Sequence, residues 1–199
     1  TSRWARAASI WAPEESEPSR RPNRAARRAI WASFTPCGGE TFSGGEWARQ
    51  FAIQVGNHKP DDPKHHKATD YGDEIDHKID LEMRQKLSDP TVHIAVESWI
   101  AGWNMRGLPH VLKVLLQCDD ALRIDRVVNR DNLSVEEAKK HLQEREQANV
   151  AKWQRMYGVS DFWDPKHYDL VINTYAHGPK ETLDLALQKL GYEIGSHER

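Results

Sequence analysis

Apolar residues along this chain gather into short runs separated by longer amphipathic stretches. Val92-His93-Ile94-Ala95-Val96, Val111-Leu112-Lys113-Val114-Leu115-Leu116 and Tyr168-Asp169-Leu170-Val171-Ile172-Asn173 are compact and rich in β-branched residues, as befits strands of a parallel sheet covered on both faces. Ala29 to Phe34 predicts another strand. Helical periodicity lies between the runs, over Glu46 to Val55, Glu74 to Leu87, Asp120 to Asn129, Ser134 to Tyr157 and Pro179 to Leu190. In the first of these, Trp47, Phe51 and Val55 share one face. Ser134 followed three residues later by Glu137 is a capping box, and Pro179 suits a first helical turn. Alternating strands and helices predict a doubly wound, parallel α/β domain over residues 29–192, with an extended arm over 1–28 and a short tail over 193–199.

Between the first predicted strand and the first helix lies Gly39-Glu40-Thr41-Phe42-Ser43-Gly44-Gly45-Glu46. That context is where a phosphate-binding loop, G-x-x-x-x-G-K-[ST], is found: its glycines turn backbone N–H groups toward phosphates, its lysine reaches them, and its hydroxyl ligates magnesium. Here Gly45 stands in the lysine position and Glu46 in the hydroxyl position. A carboxylate ~4 Å from a phosphate charge at an effective dielectric of ~20 repels it by roughly 4 kcal/mol. The expectation is a degenerate nucleotide-binding loop at Gly39, Ser43, Gly44 and Gly45.

Charge is distributed unevenly. Residues 1–33 hold seven arginines against three glutamates, a net of +4, so the remainder carries −6 of the chain's net −2. Arginine-bearing, acid-poor termini suit organelle import, and a chain beginning at Thr1 fits a processed form, which points to a mitochondrial location. Trp and Arg are the residues most enriched at binding hot spots, so Trp4, Trp11, Arg20, Arg21, Arg24, Arg27 and Arg28 are candidate partner-binding residues. Eight tryptophans exceed what one small core holds, and some are expected to cover partner contacts. No apolar run is long enough to span a membrane. Cys37 and Cys118 read as free thiols, and His58, His65, His66, Asp61 and Asp62 lack the spacing of a metal site.

Glu97-Ser98-Trp99-Ile100-Ala101-Gly102-Trp103, Leu112 to Leu116, Arg123 to Arg130, Leu133 to Ala138, Glu144-Arg145-Glu146, Tyr157-Gly158 and Tyr168 to Thr174 follow one another in an order and spacing that resembles the archaeal-type cytidylate kinases and the cytidylate kinase-like family. The resemblance covers roughly residues 29–191. It implies the fold of the P-loop nucleoside-monophosphate kinases and an activity that phosphorylates CMP or dCMP with ATP and magnesium, using the phosphate loop, a monophosphate-binding insert and an arginine-bearing lid. Arg126 and Arg130 match the helix entering the lid, Arg145 the arginine of an Arg-Glu pair, and Lys152-Trp153 an Arg-Tyr pair. Trp99 stands where the family has a substrate-side arginine. Asn57 to Asp73 is polar and short, which implies a truncated insert.

Two functions follow from this reading. One is a catalytically degenerate kinase-like protein, needing no cofactor, that serves as a structural or accessory subunit of a large mitochondrial assembly, either a respiratory-chain complex or a mitochondrial ribosome. Its Arg/Trp arm and Trp99 hold neighbouring subunits and allow RNA contact, although the acidic body opposes burial in RNA. The other is an active cytidylate kinase using ATP and magnesium, with Arg126, Arg130, Arg145 and Lys152 neutralising the transferred phosphoryl group.

Overall fold

The computed structural model describes residues 7–11, 40–61, 67–92 and 94–192 of the 199-residue chain. The expected strand Ala29 to Phe34, the residues Trp4, Arg20, Arg21, Arg24, Arg27, Arg28 and Gly39, and the tail 193–199 lie outside these.

Five strands, β1 (Ala7–Trp11), β2 (Glu40–Ser43), β3 (Ile94–Glu97), β4 (Val111–Gln117) and β5 (Leu170–Asn173), form one sheet in the order β2-β3-β1-β4-β5. Every pairing is parallel. Among the described residues six helices connect or flank them: α1 (Gly44–Gln54), α2 (Asp73–Ser88), the short α3 (Ala101–Asn104), α4 (Asp120–Asp131), α5 (Val135–Tyr157) and α6 (Pro179–Lys189). Single 3-10 turns lie at Ala68–Asp70 and Pro165–His167.

Side-chain alternation explains why both faces are covered. Ile94, Val96 and Val111 join Ile75, Ile79 and Met83 of α2 in one core, while Ala95, Leu112, Val114 and Leu116 join Ile172 and Ala186 of α6 in another. A third cluster is aromatic, built from Trp103, Trp153 and Phe162 with Trp99 and Trp163 against it. The helix signals also hold. Ser134 Oγ accepts from Glu137 N–H and Glu137 accepts from Ser134 N–H, closing the capping box. Gly158 ends α5 at φ 73, where a side chain would strain the backbone.

The N-terminal segment departs from the reading above. Residues 7–11, expected in an extended arm, form the centre of the sheet, with Ala8 opposite both Ala95 of β3 and Leu112 of β4. Ala-Ala-Ser-Ile-Trp is a strand-length apolar run set among arginines and prolines. Its place in the sheet supplies the two hydrogen-bonding neighbours that its sequence does not announce. Asn57 to Asp73 links α1 to α2, and among its described residues the 3-10 turn Ala68–Asp70 is the one regular element, in keeping with the short segment expected there.

Candidate functional site

In an open doubly wound sheet, ligands bind beyond the carboxyl ends of the strands, where adjacent strands send their connections in opposite directions. β3 and β1 form such a pair. From β1 the chain passes to β2 at the edge, and from β3 it crosses over β1 to β4. The residues gathered there are Ser43 at the end of β2, Glu97 to Trp99 at the end of β3, Gln117 and Cys118 at the end of β4, and Asn173 and Thr174 at the end of β5.

A cleft of about 370 Å³ lies at this end, with Leu115, Leu116 and Gln117 of β4, Asn173 of β5 and the indoles of Trp99 and Trp163 among its walls. Trp163 Nε1 donates to the backbone carbonyl of Trp99 at 2.7 Å, which orients the Trp163 ring. Arg123 of α4 and Glu146 of α5 also line it, paired at 2.6 Å. The Arg145 guanidinium sits 4.7 Å from the Trp99 ring centroid. Burial, with Arg130 and Arg123 nearby, lowers the Arg145 pKa to about 10, so the group stays charged at neutral pH. Burial also raises the Cys118 thiol above its usual value, against the pull of Arg126 and Arg123.

The glycine segment proves to be a different structure from a phosphate loop. Ser43 ends β2 and is at once the N-cap of α1, so strand runs into helix with no intervening loop. Ser43 Oγ accepts from Glu46 N–H at 3.1 Å and donates to Glu97 Oε2 at 2.5 Å, tying α1 to the end of β3. A Cβ on Gly44 would lie 3.1 Å from Ile79 Cγ2 and 3.2 Å from Ser98 Cβ, so this glycine serves close packing. Glu46 is exposed in the first turn of α1, bonded to Gln50.

The cations grouped by sequence also separate. Arg126 is buried and donates to Thr174 Oγ1 and O at 2.9 and 3.1 Å, holding the end of β5. Lys152 is buried, pairs with Asp76 at 2.5 Å, and donates to the carbonyls of Ala68, Tyr71 and Gly72. Both are committed to architecture and neither reaches the cleft. Arg130 bonds Asp131 through two nitrogens. Arg145 alone of the four lies against a cleft wall. Trp99, expected to meet a partner, packs internally against Trp153, Trp163 and Arg145.

Several site residues escaped the sequence reading. Gln117 and Asn173 are the polar last residues of two predicted strands, a signal that strand ends carry ligand contacts. The Arg123–Glu146 pair had no local signal, because its members lie on different helices. Neither did the ladder joining α5 to α2, in which Lys152 and Trp153 bond Asp76, Arg155 bonds Asp73, and Tyr157 OH donates to Asp80.

Comparison with known proteins places these elements. The sequence profile of the cytidylate kinase-like family matches residues 43–176. A cytidylate kinase of Thermococcus sibiricus is 36% identical over 106 residues, covering 53% of this chain and 52% of that protein. One of Sulfolobus acidocaldarius is 37% identical over 114 residues, 57% of this chain and 61% of that protein. The matched segment thus spans between half and two thirds of these relatives. Among solved structures, an uncharacterized protein from Eubacterium ventriosum superposes with a TM-score of 0.61 at 11% identity, covering 94% of this chain and 99% of that one, and so shares the fold.

Proposed function

For this chain, which belongs to the cytidylate kinase-like family, we propose the role of a catalytically degenerate relative that keeps the nucleotide-kinase fold and has lost the grip on a triphosphate. One observation carries this reading. The central strand ends at Trp11, and the residues that follow it in the chain, Ala12-Pro13-Glu14-Glu15-Ser16-Glu17-Pro18-Ser19, contain no glycine and no lysine but three glutamates. Phosphoryl transfer depends on positioning and charge neutralisation, so a strand end followed by carboxylates opposes a polyphosphate.

The segment matched by the family profile, by contrast, is intact as structure: β2 and α1 are tied to β3 through Ser43 and Glu97, and α2 is tied to α5. A folded scaffold without its phosphate grip suits a binding or accessory role. The Arg20 to Arg28 cluster supports attachment to a larger assembly, with mitochondria as the proposed location. Residues 7–11, Trp11 among them, are part of the sheet rather than of such an attachment.

The test is turnover of CMP with magnesium-ATP by the purified full chain. The expected rate lies at least about a thousandfold below the ~1–100 s⁻¹ of working kinases. A rate inside that range returns the protein to the active cytidylate kinases. For the accessory role, replacing Arg20, Arg21, Arg24, Arg27 and Arg28 by serine in the full chain is expected to abolish recovery of the protein within a large mitochondrial particle. Unchanged recovery removes the cluster as the anchor.

A further inference from the structure

We propose that the cleft at the strand ends is a binding site for an uncharged nucleoside, whose base lies against the indoles of Trp99 and Trp163 and whose phosphorylated forms gain nothing there. The proposal rests on the degenerate-kinase reading and adds a ligand class to it.

Size and lining set the class. A cleft of about 370 Å³ is in the range of small-molecule pockets. Leu115 and Leu116 line it together with two tryptophans whose rings pack edge to face, 5.9 Å apart at 60°, with Trp163 Nε1 anchored on the backbone carbonyl of Trp99. Indole faces bind flat heterocycles by stacking, and they do so for any base. Gln117 and Asn173 are exposed at the ends of β4 and β5, where the Gln117 amide and the Asn173 NH2 are offered to a base edge or ribose, Asn173 Oδ1 accepting from Tyr175 N–H at 2.9 Å.

Charge argues against a phosphate. Among the described residues, the cations near the cleft already have partners: Arg123 with Glu146 at 2.6 Å, Arg130 with Asp131 at 2.6 Å, and Arg145 with the Trp99 ring at 4.7 Å. A phosphate drawing on Arg123 or Arg130 must first break a charge pair and leave a carboxylate beside itself. The indole of Trp99 supplies no positive charge, so the site gains affinity from ring area and amides rather than from an anion.

Titration of the full chain with adenosine, cytidine, ATP and CMP, followed by tryptophan fluorescence and calorimetry, tests this. The expected result is quenching by both nucleosides, with ATP binding no tighter than adenosine. Trp99→Ala is expected to weaken adenosine about tenfold or more, in line with the loss of one stacking platform. Trp99→Arg is expected to reverse the preference toward ATP. Gln117→Ala, at an exposed position that leaves the core untouched, is expected to weaken adenosine severalfold even where the Trp99 variants fold poorly. ATP binding tenfold tighter than adenosine in the wild type, or no nucleoside binding at millimolar concentration, overturns the proposal. Turnover of CMP, in contrast, overturns the degenerate-kinase reading, so the two failures are distinguishable.

Discussion

The middle of α5 and its C-terminal third use the same chemistry to opposite ends. At Lys152 a cation is buried, 3% exposed, and its charge is matched by Asp76, three carbonyl oxygens and the ring of Tyr71 at 4.4 Å. Two turns earlier Arg145 is half-buried and rests on the Trp99 ring beside an open cleft. The first arrangement makes a cation part of the core and removes it from function. The second leaves a cation whose surroundings a ligand can change. What separates them is the partner helix: α2 presents Asp73, Asp76 and Asp80 at intervals that line one face, whereas the cleft presents strand ends and indoles.

Substitution at these two positions gives the largest contrast. Lys152→Met is expected to destabilise by about 3–5 kcal/mol, because it leaves Asp76 buried without its cation. Arg145→Met is expected to cost about 1 kcal/mol, the scale of a partly exposed cation–ring contact. Urea unfolding of both variants measures the difference, and equal costs would erase the distinction between seam and cleft.

A pH effect isolates the seam. Burial, with Asp76 nearby, raises the Asp80 carboxyl to about 7 against the pull of Tyr157 and Asn104. A carboxyl raised in the folded state binds protons more tightly there than in the unfolded chain, so its contribution falls as pH rises from about 4 to about 7. After allowance for partial exposure the loss is roughly 2 kcal/mol. Asp80→Asn is expected to flatten the stability profile across that window and to match or exceed the wild type at pH 7. A profile unchanged by the substitution would place the titration elsewhere.

Smaller effects sharpen the account of the glycine pair. Gly44→Ala is expected to destabilise by about 1–2 kcal/mol, since its methyl would crowd Ile79 and Ser98. Gly45→Ala meets nothing nearer than 3.9 Å inside α1 and is expected to stabilise by about 0.5 kcal/mol through helix propensity. Melting temperatures that move in opposite directions support a packed strand–helix junction, and two equal losses would favour a constrained loop. Ser134→Ala, which removes the α5 cap, is expected to cost about 1 kcal/mol while leaving the Lys152 seam and its pH profile intact.

Local pattern carried much of this protein. The runs at 92–96, 111–116 and 168–173 became β3, β4 and β5, and the capping box at Ser134 and the glycine at 158 bound α5, because strand burial, caps and C-terminal glycines are decided within a few residues. The family resemblance was equally legible, since order and spacing survive in the chain itself.

Tertiary structure decided the rest. Ala7–Trp11 became the central strand only through pairing with β3 and β4, far away in the sequence, as Ala8 lies opposite Ala95 and Leu112. That placement moved β2 to the sheet edge and turned a glycine-rich segment from an expected phosphate loop into a capped junction. Lys152 and Arg126 looked like the other cations until Asp76 and Thr174, distant in sequence, claimed them. Sequence fixes which residues are charged, apolar or flexible over one turn or one strand; which charge is neutralised, and which strand ends face a ligand, depends on contacts that only long-range folding brings together.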